Sequence, residues 1–118
     1  MAKEPLFILE HRDLSVKEAD LISWLLGETN HSELKEQLRD AKVISKCGCG
    51  CPTIDLQVDG YEDIPVRLVL SAEGLSPEGI PVGVILHVRH GLLSELEVYS
   101  QDGTKEFSLP EVDTLKTT

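Results

Sequence analysis

The apolar residues of this chain change their period once, near residue 42, and that switch narrows the folds open to it. Ahead of it, Leu14, Ala19, Leu21, Ile22, Leu25 and Leu26 recur at helical spacing, and Leu34, Leu38 and Ala41 do so again. Behind it, residues 42–46, 53–58, 65–71, 81–89 and 93–100 are β-branched or alternate apolar with polar. Asp59-Gly60, Glu73-Gly74, Glu78-Gly79 and His90-Gly91 divide these runs. The pattern predicts an α+β fold, with two N-terminal helices packed on one face of a mainly antiparallel sheet of about five strands in meander order. One domain takes in all 118 residues: helices over about 14–41, sheet over about 42–109 and a tail at 110–118 expected to fray.

Local signals sharpen the outline. Ser15 with Glu18 three residues on reads as a capping box, and Gly27 as the end of the first helix. Asn30 and Glu33 offer a second capping box for the shorter helix. Trp24, the one tryptophan, sits near the apolar stripe, as a core-edge residue or as a partner contact. In the later half Ile54, Leu56 and Val58 alternate with Asp55, Gln57 and Asp59, while Leu96 and Val98 alternate with Glu95, Glu97 and Tyr99. Such parity gives one greasy and one charged face. A three-residue loop centred on Gly91 would set His87 opposite Glu95, a cross-strand pair worth about 0.2–1 kcal/mol. Phe107 and Leu109 are expected to dock on the core.

Charge narrows the function. The formal net charge is -10, and it is uneven. Residues 1–46 carry nine acids and seven bases, whereas residues 47–118 carry twelve acids and four bases. Such a surface repels phosphate backbones and anionic lipid, so neither nucleic acid nor membrane is expected as a partner. A basic protein is the expected partner. Between Thr53 and Gly79, six acids face Arg67 alone. The plainer alternative is a solvated surface that keeps the protein dispersed.

Three cysteines fall within five residues, Cys47-Gly48-Cys49-Gly50-Cys51, and the rest of the chain has none. Thiolates at this spacing suit zinc or copper, or a redox-sensing cluster, although the second C-x-x-C pair of a usual zinc site is missing. The alternative is a glycine-rich turn with small thiols tucked inside as apolar filler. An odd cysteine count with no apolar leader at Met1-Ala2-Lys3-Glu4-Pro5, and no long apolar run, fits the reducing cytoplasm. His87 and His90 stand three apart, a separation that puts them on opposite faces of a strand, and His11 and His31 read as surface or capping residues. No phosphate loop, dinucleotide fingerprint, zincin helix or nucleophile elbow is present, and no enzyme is expected.

The run Cys47 to Asp55 (Cys-Gly-Cys-Gly-Cys-Pro-Thr-Ile-Asp) and the run Gly91 to Ser100 (Gly-Leu-Leu-Ser-Glu-Leu-Glu-Val-Tyr-Ser) resemble a family of small bacterial proteins of unassigned function. The family shares a C-x-C-x-C-P turn and a late L-x-x-L-E-x-Y strand, and the likeness runs from the first helix to Leu109-Pro110. Small acidic proteins of this sort can act as immunity proteins against toxins of contact-dependent growth inhibition systems. The resemblance therefore implies a bacterial cytoplasmic protein with that role, and it carries over no catalytic residue. The expected mechanism is occlusion of a basic, nuclease-type toxin cleft by Asp55, Asp59, Glu62, Asp63, Glu95 and Glu97, with Tyr99 as an aromatic anchor. The alternative is a thiol-based metal or redox module at Cys47, Cys49 and Cys51.

Overall fold

The structure is a computed structural model that describes residues 7–118; the amino end, 1–6, lies outside the described residues. Strand outweighs helix, 42% to 21%, so the fold is mainly β and the expected two-helix, five-strand α+β plan is wrong in its proportions. One seven-stranded antiparallel sheet carries the molecule: β1 (Phe7–Asp13), β2 (Ala41–Cys47), β3 (Ile54–Val58), β4 (Leu68–Leu75), β5 (Pro81–Arg89), β6 (Leu92–Ser100) and β7 (Lys116–Thr117). Their spatial order is β1-β2-β3-β6-β5-β4-β7, not a meander. The β4-β5-β6 hairpins fold back so that β6, not β4, pairs with β3, a Greek-key arrangement. Residues 59–67 make the long connection and run past the tip of the β5–β6 hairpin. There the Ile64 N–H donates to the His90 carbonyl at 3.0 Å and the Gly91 N–H to that of Val66 at 2.9 Å.

The first helix, α1 (Val16–Glu28), begins as the sequence indicates, with both halves of the Ser15/Glu18 capping box formed. Its end differs. Gly27 stays inside the helix, where a Cβ would come within 3.1 Å of the Lys35 ammonium. The chain leaves the helix through Asn30, whose φ of 63 lets the His31 N–H reach the Leu26 carbonyl at 2.8 Å. Asn30 is thus committed to terminating α1, and the expected second capping box does not form. The next segment is a 3-10 helix (Ser32–Arg39) without a side-chain cap, and Ala41 already belongs to β2. Gln37 explains why this segment stays close to the sheet. Its amide donates to the Gly91 carbonyl at 2.9 Å and accepts from the Leu93 N–H at 3.0 Å, so a buried side chain locks the β5–β6 hairpin from beneath.

All the helices lie on one face. Leu21, Ile22, Leu25 and Leu26 of α1 share a single core with Val43, Leu56, Val84, Leu86, Val88, Leu96 and Val98 of the sheet. Trp24, Leu34, Leu38, Phe107 and Leu109 pack at its margin, half-buried. The carboxyl-terminal tail is a further correction. A second 3-10 turn (Val112–Thr114) leads into β7, which pairs with β4, and Leu115 is buried, so the tail is pinned at the sheet edge instead of frayed. At the other edge, β1 is paired to β2 through a bulge between Leu9 and Arg12. Arg12 reaches from this strand to α1 and clamps Glu18 with two bonds, 2.8 and 3.0 Å long.

Candidate functional site: the bare sheet face and the thiol tip

Directly paired residues of neighbouring strands point to the same side of a sheet. The register therefore strings Leu9, Ser45, Asp55, Glu95, His87 and Val69 into one row across six strands, on the face opposite the core. Glu97, Ile85 and Ser71 form the next row, then Tyr99, Gly83 and Glu73. No helix covers this face among the described residues. Leu9 is 87% exposed, Val69 59% and Tyr99 42%. Four expected partner-binding residues, Asp55, Glu95, Glu97 and Tyr99, thus share one open surface. Of the other three, Asp63 lines an open groove of about 420 Å³ together with Asp55 and Arg89. Asp59 and Glu62 are exposed in the crossing loop, beyond the end of the sheet.

The acids on this face are partly engaged. Glu95 takes a bond from Arg89 at 3.1 Å, and the Ser45 hydroxyl donates to Asp55 at 2.6 Å. His87 does stand opposite Glu95, yet its Nε2 lies 3.0 Å from Glu97, the diagonal neighbour. The hairpin reaches that register by a different route from the expected three-residue loop. His90 and Gly91, with φ of 57 and 74, make a two-residue turn that pairs Arg89 with Leu92, and a bulge at Ser94 restores His87 to Glu95. One contact is unfavourable. Asp55 and Glu95 are directly opposed like charges, which a sheet selected for stability alone would avoid.

His87, Glu95 and Glu97 bring donor atoms within 4.8 Å of one another. They are better described as a hydrogen-bonded cross-strand ladder than as a metal centre. An ion on Nε2 would drive the ring proton onto Nδ1, which is buried and has no partner.

The cysteines lie elsewhere, at the tip of the β2–β3 hairpin. The Cys47 N–H donates to the Thr53 carbonyl at 3.1 Å to close the hairpin, and Gly50 takes φ of 91 to turn the tip, a conformation glycine adopts at no steric cost. All three Sγ atoms come within 4.8 Å of one another. The Cys49 N–H points at the Cys47 sulfur, 3.4 Å away, and the Cys51 N–H at the Cys49 sulfur, 3.5 Å away. Cys49 is exposed while Cys47 and Cys51 are half-buried, and none of them joins the core cluster, which removes the apolar-filler reading. The Cys47 thiol, hydrogen-bonded to Cys49, together with the Cys51 N–H, lowers the Cys49 pKa. Its bond to Cys49, with burial second, pushes the Cys47 thiol up to about 11.

Sequence reasoning found the thiols and most of the acids, but it missed Leu9 and Val69 as neighbours of the acidic row. Their pairing runs through β1 and through the crossed strand order, neither of which leaves a signal in the spacing. No helix among the described residues is long and apolar enough to cross a membrane. No family model matches the chain, and neither a curated protein nor a solved structure does.

Proposed function

We propose that the protein is a binding module that docks the bare face of its sheet onto a cationic surface of another protein. The observation that carries this reading is the placement of Asp55, Glu95 and Glu97 on one helix-free face, with exposed Leu9, Val69 and Tyr99 around them. An acidic centre with apolar flanks matches what a protein interface requires. Desolvated apolar and aromatic contacts supply affinity, and the charge steers encounter and rejects partners of the wrong sign. The directly opposed Asp55 and Glu95 support it further: Arg89 already offsets the charge of Glu95, and a partner's lysine or arginine at Asp55 would relieve the repulsion that remains.

In its most specific form the partner is the basic cleft of a nuclease-type toxin, and the protein a bacterial cytoplasmic immunity protein, as the family resemblance implies. Carboxylates would then occupy the positions of substrate phosphates, and inhibition would need no chemistry from this chain.

The test is binding to a panel of basic nuclease domains at two ionic strengths, with the Asp55→Lys, Glu97→Lys double variant alongside. Chemical-shift mapping locates the contact. The expected result is salt-sensitive binding that maps to β3, β5 and β6 and is abolished by the double reversal. Binding that survives it, or that maps to α1, would remove the proposal.

A further inference from the structure

We propose that Cys47, Cys49 and Cys51 form a three-coordinate site for one monovalent copper ion at the tip of the β2–β3 hairpin. Four observations converge on it. The three sulfurs already lie within 4.8 Å of one another, so one ion can reach all three with only side-chain adjustment. The tip is fixed by the Cys47 to Thr53 backbone bond and by Gly50 in the left-handed region, which reduces the ordering cost of binding. Two backbone N–H groups point at sulfurs, and such donors stabilise the negative charge that a thiolate ligand carries. The thiols are at least partly open to solvent and take no part in the core, so an ion can enter without unfolding anything.

The donor set decides the class of ion. Among the described residues no histidine or carboxylate joins the three sulfurs in the cluster. Zinc in a structural site takes four protein ligands, and an iron–sulfur cluster takes four cysteines. A d10 copper(I) ion is soft, prefers thiolates and is satisfied by three. Binding releases the thiol protons as the sulfurs coordinate, with no change in oxidation state when the metal is supplied as copper(I).

Anaerobic titration of the fully reduced protein with copper(I) against a competing chelator is the test, with zinc titrated in parallel. X-ray absorption then counts the sulfur neighbours. The expected outcome is one equivalent of copper(I), three sulfur neighbours, tighter binding of copper(I) than of zinc, and proton release that grows as pH falls. Cys49→Ser removes a direct ligand, so affinity should fall by more than about 100-fold, the upper range for losing an outer-shell support. The Cys47→Ser, Cys49→Ser, Cys51→Ser triple variant should bind no copper while keeping the circular dichroism and unfolding midpoint of the parent. Should the triple variant misfold, Cys49→Ser alone still decides, because Cys49 is exposed. Substoichiometric copper, a fourth protein ligand, tighter zinc binding, or a Cys49→Ser variant that binds as the parent does would each overturn the site.

Discussion

The two faces of the sheet are built from the same strands, yet they answer to different demands. On the covered face Val43, Val84, Leu86, Val88 and Leu96 meet Ile22, Leu25 and Leu26 of α1, and every one of them is 0% exposed. On the bare face the alternate residues of those strands are acids, a histidine, the cations Lys42 and Arg89, small polar groups and a few exposed aliphatics. Burial of aliphatic area is the dominant favourable term in folding, so the covered face carries the stability. The bare face is free of that duty. It can hold groups that a stability-driven sheet would avoid, Asp55 opposite Glu95 among them.

The sharpest way to break this division is to truncate each face in turn. Leu25→Ala or Leu86→Ala, both at fully buried sites, should cost about 2–5 kcal/mol in urea unfolding. Val69→Ala on the bare face should stay within about 0.5 kcal/mol. A Val69 loss as large as the Leu86 loss would mean that something packs on the face assigned to partners.

The next effect lies where β1 meets α1. Glu18 is buried at the start of the helix, and burial alone would raise its pKa. Hydrogen bonds from the Arg12 guanidinium and the Ser15 N–H outweigh burial and hold the carboxyl below its ordinary value. A depressed carboxyl stabilises the fold above the unfolded-state pKa, near 4.5, and the contribution is lost as pH falls through the lower folded value. Arg12→Ala leaves a buried acceptor without its partner and should cost about 1–3 kcal/mol at neutral pH. It should also flatten the loss of stability below pH 4.5, which thermal melts across an acid series would read.

How much of this was legible from the sequence divides along the same line. Ile54, Leu56 and Val58 against Asp55 and Gln57 gave away both faces of β3, because the side-chain period of a strand is local information. The Ser15/Glu18 cap was readable for the same reason. Strand order was not, since only the path of residues 59–67 past the β5–β6 tip, held at Ile64 and Gly91, decides that β6 lies beside β3. β1 escaped because Phe7-Ile8-Leu9 and Glu10-His11-Arg12-Asp13 do not alternate, and an edge strand exposed on both sides has no need to. β7 is two residues long and owes its existence to β4 and the anchoring of Leu115. The thiol cluster stood in plain view as a motif, but whether the sulfurs faced inward or converged on each other depended on the Gly50 turn.

Another variant probes a place where the bare face packs against itself. Gly83 lies directly opposite Tyr99, and a Cβ there would come within 2.2 Å of the ring, so the tyrosine lies flat over the glycine. Gly83→Ala must push the ring outward. Tyr99 is 42% exposed and can swing, so the cost should be about 1 kcal/mol, the low end for overpacking. Tyrosine ring shifts in NMR spectra would show the displacement. A neutral substitution with an unmoved ring would mean that Tyr99 does not lie over Gly83 in solution.

The smallest effect separates stability from recognition most directly. Asp55→Asn keeps an oxygen to accept the Ser45 hydroxyl but removes the charge facing Glu95. Relief of a directly opposed like-charge pair should raise stability by about 0.2–1 kcal/mol, more at low salt than at high. The same change should weaken docking to a cationic partner, since it deletes one of the acids that the partner would neutralise. A residue that stabilises the fold when neutralised and lowers affinity at the same time is kept for the interface. If Asp55→Asn destabilised the protein instead, the carboxylate would be a structural acceptor for Ser45, and the bare face would lose its central acid as evidence of a binding role.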